Sequence, residues 1–225
     1  MREIRIDLDR IRENYEVLRR VARPAKVMAV VKANGYGHGA VEVAKHLDQD
    51  VDYFGVADVQ EAVTLREAGI SAPIMAWISN SFEDFELAKK HNIDIGVSTF
   101  THLGFLEKLE GLSFHVKVDT GLGRNGFSIN DFPEAVEKLI QLAVKHTAKG
   151  IFTHLSNTNE QEDLNQFEVF ETAIEYARGK GLEFELAHAS ASNATLSYPN
   201  KHFDMVRCGI AVYGLSPDGR DVSGL

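Results

Sequence analysis

The sequence has one cysteine, no long apolar run and no excess of positive charge. Cys208 alone cannot form an internal disulfide, which favours a reducing compartment. The first 20 residues lack the apolar core of a signal peptide, and no apolar stretch reaches the roughly 18 residues of a membrane span. The formal net charge of -9 disfavours nucleic acid as a partner. We therefore expect a cytoplasmic protein that binds neither membranes nor nucleic acid.

What the chain does have is a regular alternation of apolar, β-branched runs with amphipathic stretches. With 225 residues, 44% of them hydrophobic, it can form one large core. A first helix is predicted over about residues 8–21. The apolar runs predict eight strands, over residues 27–32, 53–57, 73–78, 93–97, 114–119, 150–154, 184–188 and 205–213.

The predicted strands are short and mostly apolar throughout, which is typical of a parallel sheet covered on both faces. Eight such strands with helices between them predict a parallel (β/α)8 barrel of the TIM type over residues 1–225. An open doubly wound sheet is the alternative fold. The polar, glycine-rich segment 215–225 is predicted to be a loop, or the start of a linker, that leaves the barrel.

Polar side chains lie at the ends of five predicted strands, where barrel enzymes carry their chemistry. In strand five the side chains alternate between faces, so His115, Lys117 and Asp119 share one face. Lys117 would be a buried charge, and Asp119 is its predicted partner. The residues expected at one rim of the barrel are Lys32, Lys117, His154, His188 and Arg207.

The segment "KANGYGHG" places Lys32 between an apolar strand and a glycine-rich turn. A lysine at a strand end is usually only solvated, but an enclosed one suits covalent Schiff-base chemistry. Tyr36 is either a ligand contact or a packed aromatic of the rim, and His38 is predicted to be a loop histidine.

Three segments raise the question of phosphate binding. "TGLGRNG" contains G-x-G-x-x-G, but the next helix is predicted near residues 131–133 and not inside the motif, which argues against a dinucleotide fold. "KANGYGHG" lacks the Walker order of residues. "RCGIAVYG" is the better candidate, because barrels often hold phosphate after strands seven and eight. Ser192 and Asn193 are predicted to cap a short helix, which is compatible with anion binding.

The segments "AVVKANGYGHG", "VKVDTGLGRNG", "FTHLSN" and "MVRCGIAVYGL" together resemble the alanine racemase family, in its N-terminal barrel that binds pyridoxal 5'-phosphate. The resemblance covers nearly the whole chain in the same order. It implies a pyridoxal-phosphate-dependent isomerase that interconverts L- and D-alanine and supplies D-alanine for peptidoglycan, without a metal.

The resemblance implies a role for each matching residue. Lys32 corresponds to the lysine that forms the Schiff base with the cofactor and acts as one of two bases. Tyr36 corresponds to a phosphate contact, and His154 to the residue packed against the pyridine ring. Arg124 corresponds to the arginine that contacts the cofactor's ring oxygen and the substrate carboxylate. Arg207 corresponds to the arginine at the pyridine nitrogen.

Further residues match supporting positions of the family. Ser192 and the backbone of Gly209 and Ile210 correspond to the phosphate cradle. Lys117 corresponds to a lysine that is often carbamylated and positions the arginine after it. His188 corresponds to the residue behind the arginine at the pyridine nitrogen.

The chain departs from the family pattern in two ways. Ala191 stands where many members have asparagine. The family also carries a β-rich C-terminal domain, which gives the partner subunit of a homodimer the tyrosine that serves as second base; we expect that domain to be missing here and the chain to be inactive alone. A single-domain, non-catalytic pyridoxal-phosphate protein and a Schiff-base barrel such as an aldolase are the alternatives. The aldolase would explain Lys32 but not Tyr36, Arg124 and Arg207 together.

Overall fold

The computed structural model describes residues 3–217 and 219, and this part of the chain forms eight strands with helices between them. The strands are β1 Lys26–Val30, β2 Tyr53–Asp58, β3 Ile74–Ile78, β4 Asp94–Val97, β5 Ser113–Lys117, β6 Thr147–Phe152, β7 Leu186–His188 and β8 Met205–Cys208. The α-helices are α1 Leu8–Ala22, α2 Lys32–Tyr36, α3 Ala40–Leu47, α4 Val59–Glu67, α5 Phe82–Lys90, α6 Phe100–Leu106, α7 Phe132–Leu142, α8 Glu160–Gly179 and α9 Ser192–Ser197. Two 3-10 helices span Pro199–Lys201 and Ile210–Tyr213.

Local sequence explains where several of the helices begin. The side chains of Asp58, Ser81, Thr99 and Asn159 each accept a hydrogen bond from a backbone N–H in the first turn of α4, α5, α6 and α8. Such N-cap bonds satisfy donors that have no partner inside the helix. Within residues 3–217, no helix is both long and apolar enough to cross a membrane.

The strands form a barrel, as predicted, and not an open doubly wound sheet. All neighbouring pairs are parallel, in the order β7-β6-β5-β4-β3-β2-β1-β8. The two end strands meet, because Arg207 N donates to Ser190 O at 2.8 Å and Asp204 N donates to Ala187 O at 3.0 Å. The carboxyl ends of all eight strands therefore surround one rim.

The apolar core has two layers. The larger one lies between the strands and the helices, and the smaller one fills the inside of the barrel with residues such as Met28, Met75 and Phe152. The alternation predicted for strand five is confirmed by this division. Phe114 packs in the outer layer, whereas His115, which is fully buried, is hydrogen-bonded to a side chain from another strand.

Several predicted boundaries were wrong. Strand one ends at Val30, so Lys32 is not the last residue of the strand. It opens α2, whose backbone is a left-handed turn and not a right-handed α-helix. Strand eight does not reach residue 213, because the chain turns at Gly209 into the 3-10 helix Ile210–Tyr213. The segment 216–225, predicted as a loop or linker, lies largely outside the described residues.

Candidate functional site

Lys32 is presented by a turn of left-handed backbone. The φ angles of the next four residues are all positive, from +52° to +63°, at Ala33, Asn34, Gly35 and Tyr36. Only glycine adopts this conformation freely, and each other residue costs about 1–2 kcal/mol. Strain of this kind persists where the surrounding structure enforces it, which is common at functional sites.

Two side chains outside the predicted set enforce this turn. Glu61 in α4 accepts hydrogen bonds from the backbone N–H groups of Ala33 and Ala57, both at 2.7 Å. Asn34 Oδ1 accepts from Ala40 N at 3.0 Å, which ties the turn to the start of α3. The carboxylate therefore connects the carboxyl end of β2 to the lysine turn, a contact for which the sequence gives no local signal.

Beside this turn, the segments after β7 and β8 form a small cradle of backbone donors. Ser192 Oγ accepts from Gly209 N at 3.1 Å and from Ala211 N at 3.5 Å. A Cβ atom at Gly209 would collide with the hydroxyl of Tyr36, so the absence of a side chain lets that hydroxyl approach the backbone here. The hydroxyls of Tyr36 and Ser192 are groups that can contact the oxygens of a phosphate, whereas the N–H groups of Gly209 and Ala211 already donate to Ser192 Oγ.

The prediction that Ser192 and Asn193 cap the short helix was wrong. The N-cap residue of α9 is Ala191, and it makes no side-chain capping bond. Ser192 turns instead toward the backbone of residues 209–211, and Asn193 donates to Asn157 Oδ1 at 3.1 Å. The residue before them, Ala191, bridges to Arg207, which aligns the cradle with β8.

Arg207 is buried at the centre of the rim. Its terminal nitrogens donate to three backbone carbonyls: Thr153 O at 2.6 Å, His188 O at 2.7 Å and Ala189 O at 2.9 Å. It also contacts His188 Nδ1 at 2.9 Å. Its Nε–H has no hydrogen-bond partner among the described residues. Burial lowers the pKa of Arg207 to about 9, so it remains a cation at neutral pH.

Both rim histidines are neutral. Burial, followed by the charges of Arg207 and Arg124, lowers the pKa of His154 to about 3. The charges of Lys117 and Lys32 act in the same direction. His188 is fully buried, and burial together with Arg207 holds its pKa well below the usual value.

Lys117 does not pair with Asp119 as predicted. Its Nζ donates to Asn125 Oδ1, while Asp119 accepts from the backbone N–H groups of Gly121 and Gly123 at 3.1 and 3.0 Å. Asp119 raises the pKa of Lys117 only slightly against the larger effects of burial, Arg124 and Arg207, which lower it to about 8. Arg124 itself is exposed.

The predicted aromatic and histidine of the lysine turn both pack against Tyr213. Tyr36 lies with its ring 5.3 Å from that of Tyr213 and 5.8 Å from Lys32 Nζ. His38 stacks on Tyr213 at 4.6 Å and contacts Gly35 O at 3.0 Å, as expected for a loop histidine. Tyr36 is thus packed at the rim and also faces the cradle at Gly209.

The described residues bring together four cations whose combined charge is not balanced locally. Lys32 and Arg124 make no ion pair within residues 3–217. All four cations, Arg207, Arg124, Lys117 and Lys32, lower the pKa of His154. A cleft of like charge attracts ligands of the opposite sign. The rim around Lys32 therefore suits a ligand of net negative charge.

Comparisons with known proteins agree with this geometry. Residues 6–217 match the sequence model of "Alanine racemase, N-terminal domain". The alanine racemase of Mycobacterium ulcerans is 41% identical over 94% of this chain and 58% of its own length. That of Carboxydothermus hydrogenoformans is 39% identical over 96% of this chain and 61% of its own length.

Solved structures give the same result. The crystal structure of alanine racemase from Corynebacterium glutamicum superposes with a TM-score of 0.89 at 39% identity, covering 98% of this chain and 63% of that one. The chain thus spans about three fifths of the length of the relatives it matches.

Proposed function

The chain belongs to the alanine racemase family through its N-terminal domain, and from this premise we propose that it is the cofactor-binding barrel of an amino-acid racemase that acts on alanine. The observation that carries the proposal is the cationic rim around Lys32, with the hydroxyls of Tyr36 and Ser192 and the backbone N–H groups of residues 209–211 beside it. Its cofactor would be pyridoxal 5'-phosphate, held in a cytoplasmic homodimer.

The residues present fit this cofactor. The cradle of Tyr36, Ser192 and the backbone of Gly209 and Ile210 would take the phosphate, because Gly209 lets the Tyr36 hydroxyl come close to Ser192 and the backbone N–H groups. The free Nε–H of Arg207 would donate to the pyridine nitrogen. When bound, pyridoxal phosphate supplies an electron sink that makes the α-proton of an amino acid acidic.

The chain's own residues would then hold the substrate and move the proton. Lys32 Nζ would hold the cofactor covalently at rest. Once the amino group of the substrate has replaced it, the freed amine would take the α-proton on one face of the substrate. Arg124 would hold the carboxylate of the substrate, and Lys117 would position Arg124. Arg207 only donates hydrogen bonds, so the pyridine nitrogen would stay unprotonated and transamination would be suppressed. His154 would pack against the ring and, being neutral, add no further charge.

Proton exchange at alanine tests this proposal. The chain would be incubated with pyridoxal phosphate and either L- or D-alanine in D2O, and deuterium at the α-carbon followed by NMR. We expect exchange of D-alanine only, and its loss in Lys32→Ala. Interconversion of the enantiomers would be slower than in a full-length racemase by about 10²–10⁴, because a second base is provided outside these residues.

Absence of exchange with both enantiomers, while the cofactor is bound, would favour a non-catalytic pyridoxal-phosphate protein. Rapid interconversion of L- and D-alanine by the 225-residue chain would place both bases inside the barrel and contradict the assignment of a second base elsewhere.

A further inference from the structure

A row of buried polar side chains runs down the inside of the barrel below Arg207. Arg207 contacts His188 Nδ1 at 2.9 Å, and His188 Nε2 lies 2.9 Å from His115 Nδ1. His115 Nε2 lies 3.6 Å from Asp94 Oδ2, which also accepts a hydrogen bond from Tyr53. Because Asp94 is the first residue of β4, the row connects the rim to the opposite end of the barrel.

The position of every proton in this row follows from Arg207. A guanidinium group only donates, so His188 Nδ1 must accept and its ring proton must lie on Nε2. That N–H points at His115 Nδ1, which must therefore accept in turn and leave the proton of His115 on Nε2, the side of Asp94. A second proton on either ring would bring two N–H groups face to face.

The far end of the row is negatively charged. Burial alone would raise the pKa of Asp94, but the nearby His115 ring, the Tyr53 hydroxyl and Lys149 outweigh it and lower the pKa. At 3.6 Å the contact between His115 and Asp94 is too long for a hydrogen bond. The carboxylate therefore attracts the dipole of the His115 N–H without a direct bond.

The His115 ring fits inside the barrel because the strand beside it has a glycine, Gly150, at the point of contact. A Cβ atom on Gly150 in β6 would collide with His115 Nδ1. A glycine inside a strand weakens it and often marks such a close approach. The ring therefore depends on Gly150 for the position in which its Nδ1 meets His188.

We propose that His115 is a positioning residue for Arg207. Its Nδ1 accepts a hydrogen bond from the Nε2–H of His188, which keeps His188 Nδ1 free to accept from the guanidinium and directs the N–H of His115 toward Asp94. The row would hold the Nε–H of Arg207 in a fixed position for a ligand, and this consequence rests on the proposed function. The positions of the protons on His188 and His115 do not depend on it. Without His115, the buried Nε2–H of His188 loses its acceptor, which is costly, and the contact with Arg207 loosens.

Nitrogen-15 NMR of the histidine and arginine side chains tests the proposal in the cofactor-free chain. We compare the native protein with His115→Asn, whose amide oxygen can accept near the position of Nδ1, and His115→Leu, which cannot accept. In the native and Asn proteins, His188 should be protonated on Nε2 only. In the Leu variant, the guanidinium protons of Arg207 should exchange with solvent on the order of tenfold faster.

Gly150→Ala provides a second variant that displaces the His115 ring without removing a polar group, and it should also accelerate the exchange of the Arg207 protons. If exchange is unchanged in either folded variant, His115 only fills space. A native His188 that is protonated on Nδ1, or on both nitrogens, would contradict the order of the protons. No alanine or cofactor is needed, so a negative racemase assay leaves the result unaffected.

Discussion

Two arginines lie at opposite ends of the barrel in similar surroundings but with different charge balance. Arg66 donates to four backbone carbonyls that precede β3 and β4, at 2.7–3.1 Å. Arg207 donates to three carbonyls at the other end. Burial lowers the pKa of both. Two carboxylates, Asp94 and Asp48, raise the pKa of Arg66, whereas the pKa of Arg207 is raised by the thiol of Cys208 and lowered by Arg124.

We propose that this difference separates a structural cation, Arg66, from a ligand-binding one, Arg207. Arg66 has carboxylates nearby and joins the loops at the N-terminal end of the barrel. Arg207 makes no ion pair with a carboxylate within residues 3–217, and its neighbours at the rim are further cations. A buried cation without a counter-charge is costly unless a ligand supplies one, so the rim is the end of the barrel where an anion should bind.

The largest expected effect comes from replacing each arginine with lysine. Lysine cannot reach several carbonyls at once. Arg207→Lys should therefore reduce the free energy of unfolding by about 3 kcal/mol or more, because buried carbonyls lose their donors. Arg66→Lys should cost about 1 kcal/mol, because its half-buried site admits water. Urea denaturation measures both, and equal losses would remove the distinction between the two ends.

A smaller effect should appear in the pH dependence of stability at the rim. The pKa of Lys117 is lowered to about 8 in the folded protein, so between pH 8 and its ordinary value of 10.5 the unfolded chain binds more protons. The free energy of unfolding should therefore rise with pH over this range, by about 1–3 kcal/mol relative to Lys117→Met. Lys138→Met, at the surface of α7, controls for the loss of one charge.

This measurement requires buffer free of carbon dioxide, so that the neutral amine is not carbamylated. Adding inorganic phosphate should flatten the pH dependence, because a bound anion raises the pKa of Lys117 again. Parallel profiles for the native protein and Lys117→Met would mean that burial and the neighbouring cations do not lower the pKa of Lys117 in the folded state.

The smallest effect is expected from replacing one of two glycines with alanine, and it concerns the affinity for pyridoxal phosphate. Gly209→Ala places a methyl group in the cradle against the flexible tip of Tyr36, so the affinity for pyridoxal phosphate should fall about tenfold while that for pyridoxal, which has no phosphate, stays the same. Gly69→Ala, at a helix end with a φ of +90°, should cost about 1 kcal/mol of stability and leave both affinities unchanged. Calorimetric titration distinguishes the two; a loss of pyridoxal affinity at residue 209 would exclude a phosphate cradle there.

The sequence predicted the members of the rim better than their contacts. In a parallel barrel all strands end at one rim, so the positions of Lys32, His154 and Arg207 followed from the count of strands. Side chains alternate between the two faces of a strand, so the pattern along β5 placed both His115 and Lys117 on the face that lines the inside of the barrel. These predictions depend only on periodicity, which a single sequence displays.

Contacts between distant segments left no such signal. After β5 the chain folds back, with Phe127 N donating to Lys117 O at 2.9 Å, and this brings Asn125 to Lys117 while Asp119 is bound by its own loop. The pairing of His115 with His188 joins residues 73 apart in sequence. The left-handed turn after Lys32 was also missed, because only two of its four residues with positive φ, glycine and asparagine, favour that conformation.

Covalent labelling at the rim tests the central claim most directly. The chain would be mixed with pyridoxal phosphate, reduced with borohydride and digested, and the modified lysine identified by mass spectrometry. We predict the label on Lys32, its loss in Lys32→Ala and its retention in Lys117→Met. A label on Lys117 or on any lysine outside the rim, with Lys32 unmodified, would contradict the account.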